Sequence, residues 1–281
     1  MKVYAISDLH LNYRVNRDAL VDLPNHSGDW LLIAGDIGES EAHFHFAFTV
    51  LKQKFSKLIW VPGNHDLWSN PNDPLKLRGE GKYQKLVSIC KEYGVLTPED
   101  PYVTWSGDGC SCLLAPLFLL YDYSFRPADV PLEKAVEWAK KKGILCRDEQ
   151  YIHPSPYRSI VEWCEARYEY TQRRLASIPR GLPLVFISHF LLHPRPLERL
   201  VKIPEFSLWC GTRRTEDWHT KYPVKTVVYG HLHIRSTDFY DGVRFEEVSL
   251  GYPKHWSQEN DLDHYLREIL PGPRIKMPEI S

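Results

Sequence analysis

The chain has 281 residues, is 43% hydrophobic and 25% charged, and carries a formal charge of −1 at pH 7. These values suit a globular protein and allow one large α/β domain or two small ones. They leave no globally basic footprint for nucleic acid, and no apolar run approaches the roughly 18 residues that span a bilayer.

Residues 2–7, 30–34 and 57–61 form three short apolar runs, of the kind that fills a sheet covered on both faces. The first is too short for a signal peptide and reads as a first strand. Residues 41–55 place Phe44, Phe48, Leu51 and Phe55 at helical spacing, which gives a βαβ unit and a parallel sheet. Residues 79–93, 131–142 and 156–178 read as helices and 110–120 as a strand, with Pro179 stopping the last helix. Strands resume at 184–188 and 226–229. Residues 237–240 and 243–248 flank Asp241-Gly242, the signature of a type I′ hairpin. The tail, with Pro271, Pro273 and Pro278, reads as irregular. The six cysteines form no CxxC pair and no disulfide-scaffold spacing, which predicts reduced thiols and a cytoplasmic protein.

The architecture expected is α/β: two packed β-sheets flanked by helices, in a single domain over 1–281. An elaborated insertion at about 67–180 would form the substrate side.

Polar residues follow the apolar runs in a fixed order: Asp8-Leu9-His10, Gly35-Asp36, Gly63-Asn64-His65-Asp66, Ser188-His189 and Gly230-His231-Leu232-His233. Residues two apart on an extended strand point the same way, so Asp8 and His10 can reach one metal. Asp36 is the candidate bridging carboxylate, and Asn64 offers a neutral oxygen. His189, His231 and His233 add imidazoles. Singly, each has an ordinary reading: Asp36 as a helix cap, GNHD as a turn, each histidine as a core residue. Five together, each after a strand-like run, describe seven ligands for two divalent metals, which activate a water and neutralise a phosphate.

This set resembles the calcineurin-like metallophosphoesterases, whose signature is D-x-H, G-D, G-N-H-D/E, H and G-H-x-H. The resemblance implies a four-layer fold. It implies one metal on Asp8, His10, Asp36 and His233, and another on Asp36, Asn64, His189 and His231. Nitrogen and oxygen donors without thiolate favour manganese or iron, with zinc also compatible. His65 is then the general acid that protonates the leaving group, and Asp66 is expected to orient its ring. Retention of His65 and all seven ligands argues against a non-enzymatic scaffold.

The segments LYDYSFRP, LWCGT, DWH and DGVRFEEVSLGYP, with a following Trp, resemble a bacterial, actinobacterial-type subgroup that includes 4′-phosphopantetheinyl hydrolases. The resemblance implies a phosphodiester substrate in the form of a holo acyl or peptidyl carrier protein, an acidic partner. A nucleotide or small-molecule phosphodiesterase and a phosphoprotein phosphatase are the alternatives. Tyr123, Arg126, Arg213 and Trp256 are the candidate substrate residues, beside Tyr121, Trp209, Arg214 and Tyr252.

Overall fold

The computed structural model describes residues 1–69, 76–108, 110–178 and 181–272. The described residues contain ten strands: β1 Val3–Ile6, β2 His26–Ile33, β3 Phe55–Trp60, β4 Val103–Gly107, β5 Cys110–Pro116, β6 Leu184–Ile187, β7 Val224–Tyr229, β8 Ser236–Tyr240, β9 Val243–Glu247 and β10 Arg267–Leu270. The main helices are α1 Arg14–Asp22, α2 Glu41–Lys54, α3 Asn64–Leu67, α4 Gly79–Glu92, α5 Ala135–Lys141, α6 Asp148–Tyr151, α7 Ile160–Ala176 and α8 Trp218–Lys221.

The strands form two sheets, ordered β10-β1-β2-β3 and β4-β5-β6-β7-β9-β8. β1, β2 and β3 run parallel, as do β5, β6, β7 and β9. Alternation along the strands builds the layers. Ala5, Leu32, Ala34 and Ile59 of the first sheet join Leu114, Val185, Ile187 and Val228 of the second in one buried cluster between the sheets. On the opposite face of the first sheet, Leu31, Ile33, Leu58 and Trp60 pack with Phe44, Phe48 and Leu51 of α2 and with Tyr83 and Leu86 of α4. Phe186, Val227 and Phe245 turn outward from the second sheet onto Leu175 of α7 and Trp218 of α8. The result is the four-layer α/β architecture expected.

Asp241 and Gly242 have φ of 52° and 79°, as a type I′ turn requires. Three readings need correction. The tail is not wholly irregular: β10 pairs antiparallel with β1 before Pro271. The stretch 67–180 is more than an insertion. Its β4 and β5 form one edge of the second sheet, and α4 covers the first. The strand begun at Cys110 ends at Pro116 rather than at 120. Pro179, Pro273 and Pro278 lie outside the described residues.

Candidate metal centre and active site

The motif residues gather where the parallel strands end. Asp8 and His10 follow β1, Asp36 follows β2, and Asn64 opens α3 after β3. His189 follows β6, and His231 and His233 follow β7. Backbone bonds lace these ends together: Asp8 N donates to Gly35 O (3.0 Å), His10 N to Asp36 O (3.1 Å), Ser7 N to Val248 O (3.1 Å). The glycines allow this closeness. A Cβ on Gly63 would overlap the Asp36 carboxylate, and one on Gly230 would overlap Ser7 Oγ and the Asp8 carboxylate. Asp8, His10, Asp36, His231 and His233 all take positive φ, from 42° to 76°. That region is sparsely used by residues with a side chain, and Asp and His are among those that tolerate it best.

Two donor clusters result. In the first, Asp8 Oδ1 lies 2.9 Å from His233 Nε2 and 3.8 Å from His10 Nε2, and the two imidazole nitrogens are 3.2 Å apart. The other oxygen, Asp8 Oδ2, accepts from Ser7 Oγ (2.6 Å), Ser249 Oγ (2.7 Å) and His231 N (3.0 Å), which turns Oδ1 toward the cluster. In the second, Asn64 Oδ1 lies 3.0 Å from both His189 Nε2 and His231 Nδ1. His189 Nε2 is also 3.5 Å from Asp36 Oδ2. His189 Nδ1 donates to Ala34 O (2.8 Å), which leaves the lone pair of Nε2 facing inward. Asn64 Nδ2 donates to Asp148 Oδ1 (3.0 Å), which leaves its carbonyl oxygen facing inward. Donor atoms of Asp36 lie within 4.8 Å of Asp8 and His189 in one group, and of His10 and His65 in another. That position between the clusters suits a bridge.

The chemistry of this donor set fits divalent cations. Burial, as the largest cause, pushes His189 down to about 4 and holds His10 and His231 well below the usual imidazole range. A charged ring is disfavoured at each of these positions, and nitrogen and oxygen donor atoms crowd together at 3.0–3.2 Å. Burial, then the Asp8 and Asp66 carboxylates, push Asp36 well above the usual carboxyl range. Cations among these atoms would relieve both conflicts.

His65 sits at the edge of this centre. Its backbone N donates to Asp36 Oδ1 (2.9 Å), its Nδ1 lies 3.3 Å from Glu39 Oε1, and its ring stacks on Trp68 at 3.8 Å. The hydrogen bond to His65, ahead of burial, leaves Glu39 below the usual carboxyl range. The expectation for Asp66 is corrected here. Its Oδ2 accepts from Asp36 N and Gly63 N (both 2.9 Å) and from Trp60 Nε1 (3.3 Å). Its Oδ1 accepts from Gly38 N (3.2 Å). Successive residues of a helical turn point in different directions, so Asp66 staples the loops while Glu39 holds the ring.

His65 opens into a cleft of about 660 Å³. Tyr13, Trp68 and Tyr252 give it aromatic walls, and Asn12, Glu39, Arg147 and Lys254 give it polar ones. None of the four candidate substrate residues lines it. The Trp256 indole is buried against Tyr265 and donates to Asn16 Oδ1 (3.2 Å). Tyr123 bonds Glu149 (2.8 Å). Arg126 Nε donates to Val130 O (2.7 Å), and Arg213 Nε donates to Ser124 O (3.0 Å). These side chains are committed to the protein itself. Tyr121 and Trp209 are likewise core residues, and Arg214 pairs with Glu165. Of the aromatics considered from the sequence, Tyr252 does reach the cleft. Glu39, Trp68, Arg147 and Asp148 went unseen because no motif marks them; Asp148 is 84 positions from Asn64.

Residues 1–235 match the family model of the calcineurin-like phosphoesterases. The chain belongs to this family. Like other calcineurin-like phosphoesterases, it is a metal-dependent phosphoester hydrolase, and the family works with two metals. Over 274 residues the chain is 43% identical to the acyl-carrier-protein phosphodiesterase PptH of Mycobacterium tuberculosis, covering 97% of this chain and 84% of that protein. It also superposes on the crystal structure of phosphopantetheinyl hydrolase PptH from the same organism with a TM-score of 0.92. That match has 42% identity and covers 98% of this chain and 97% of the other. The likeness therefore extends past the metal motifs into the 67–180 stretch.

Proposed function

We propose that this enzyme removes 4′-phosphopantetheine from holo carrier proteins, acting as a single domain in the cytoplasm with two manganese or iron ions. The observation that carries this reading is the 43% identity to an acyl-carrier-protein phosphodiesterase along 97% of the chain. No helix of the described residues is long and apolar enough to cross a membrane.

One ion would lie among Asp8, His10, Asp36 and His233, the other among Asp36, Asn64, His189 and His231. Together they would lower the pKa of a water and neutralise charge on the phosphate. The protein's own groups do the rest. Glu39 accepts the Nδ1 proton of His65, which leaves the other ring nitrogen to carry the proton that is transferred. Water oxygen attacks phosphorus, the bond from phosphorus to the serine oxygen breaks, and His65 gives its proton to that oxygen. The products are free serine on the carrier and 4′-phosphopantetheine. Trp68 backs the His65 ring and fixes its plane.

The test is incubation of holo carrier protein with the manganese-loaded enzyme and intact-mass detection. The carrier should lose the phosphopantetheine mass. An unchanged carrier, with turnover of a generic phosphodiester intact, would reject the substrate and keep the family chemistry.

A further inference from the structure

The cleft at His65 carries more positive charge at its mouth than the chain does as a whole. Its lining holds one carboxylate, Glu39, and that group is engaged by His65. It holds two cations, Arg147 and Lys254, both exposed and neither in an ion pair with any described residue. Arg158, Arg167, Arg199 and Arg214 each pair with a carboxylate. An arginine and a lysine left unpaired on one cleft, in a chain of net charge −1, concentrate positive potential at the opening.

Apolar side chains are exposed on the same cleft and on the chain segments that supply it. Tyr13 lines the same cleft and Val15 follows it at the start of α1, with 40% and 38% exposure; Leu145, two residues before Arg147, is 70% exposed. Cations beside exposed apolar side chains match an acidic amphipathic helix better than a small neutral molecule. The proposed substrate is a whole protein whose modified serine must enter the cleft while its surface stays outside. We infer that Arg147 and Lys254, with Tyr13 and Leu145 beside them, form the docking rim for an acidic surface of the carrier protein. The inference rests on the carrier-protein reading and adds the surface that recognises it.

Two comparisons test it, using full-length manganese-loaded enzyme and holo carrier protein. The Arg147→Ala/Lys254→Ala double variant should lose about tenfold or more in kcat/KM on the carrier relative to its loss on bis-nitrophenyl phosphate, mostly through KM. The wild-type rate on the carrier should fall as sodium chloride rises, and the variant should show a flatter slope. Arg147→Glu/Lys254→Glu should fall further still. Thermal melting and metal content of each variant exclude a folding or loading defect. Equal carrier kinetics and equal salt slopes in wild type and double variant would overturn the rim while leaving the substrate reading intact. A wild-type enzyme that neither cleaves nor binds the holo carrier would overturn both.

Discussion

Asp148 Oδ1 accepts two hydrogen bonds, from Asn64 Nδ2 at 3.0 Å and from the Trp68 indole at 2.7 Å. One buried oxygen thus orients both a candidate metal ligand and the ring that backs the candidate acid. No described cation pairs with it. Asp148→Ala would release the Asn64 amide and leave the indole N–H unpartnered. Loss of such an outer partner typically costs about 10–100-fold in metal affinity or activity. Titration of the metal-free variant with Mn²⁺ should show one weakened site out of two. Two wild-type affinities would mean that Asn64 holds its orientation without help.

His65→Ala should lower turnover of the holo carrier by about 10²–10⁴-fold with metal content unchanged. A nitrophenyl diester, whose leaving group needs less protonation, should lose much less. Glu39→Gln should reproduce part of the loss and add little on top of His65→Ala, because the two side chains act as one unit. Fully additive losses would separate them.

Metal removal should destabilise the fold as well as silence it. Ligands that bind only the folded state add stability as their concentration rises, about 2.7 kcal/mol at one hundred times the dissociation constant. The melting temperature should fall on chelation and climb again with added Mn²⁺. A melting temperature indifferent to metal would contradict the donor clusters described above.

Gly63 has φ of −101°, which any residue adopts, so Gly63→Ala tests close approach alone. The new methyl would overlap Asp36 Oδ1. The variant should bind less metal and lose activity, whereas Gly28→Ala, with open space around it, should do neither. Normal metal loading of Gly63→Ala would show that the Asp36 loop can retreat.

Trp256→Ala should act on stability rather than recognition. The side chain is 9% exposed and packs in the core on Tyr265. Truncations of this kind cost about 3–5 kcal/mol. Denaturant unfolding should show the loss, and KM for the carrier should hardly move under conditions where the variant is folded.

The framework could be read in the sequence because buried parallel strands are short apolar runs and the chemistry follows them immediately. Asp8, Asp36 and His231 are legible for that reason. Helix α1 was not, since it is only nine residues long, buries only Asn16 and Leu20, and has no capping side chain at its start. β10 was hidden by the prolines that follow it. Asp66 misled because adjacency in sequence suggested contact with His65, whereas the turn sends the two side chains apart. Arg126 and Arg213 looked available for phosphate, yet each donates to a backbone carbonyl, which leaves no trace in composition, and Arg213 also meets Glu216.

The left-handed backbone at Asp8, His10, Asp36, His231 and His233 has an evolutionary corollary. Strained conformations of this sort cost on the order of 1–3 kcal/mol each and persist where function holds them in place. Glycine would occupy the same angles at ease. Each step that discards the chemistry by a change to glycine at these positions therefore relaxes the backbone. The architecture should outlive its own activity: these angles are ones that glycine adopts more easily, so the same four layers can be built without the chemistry.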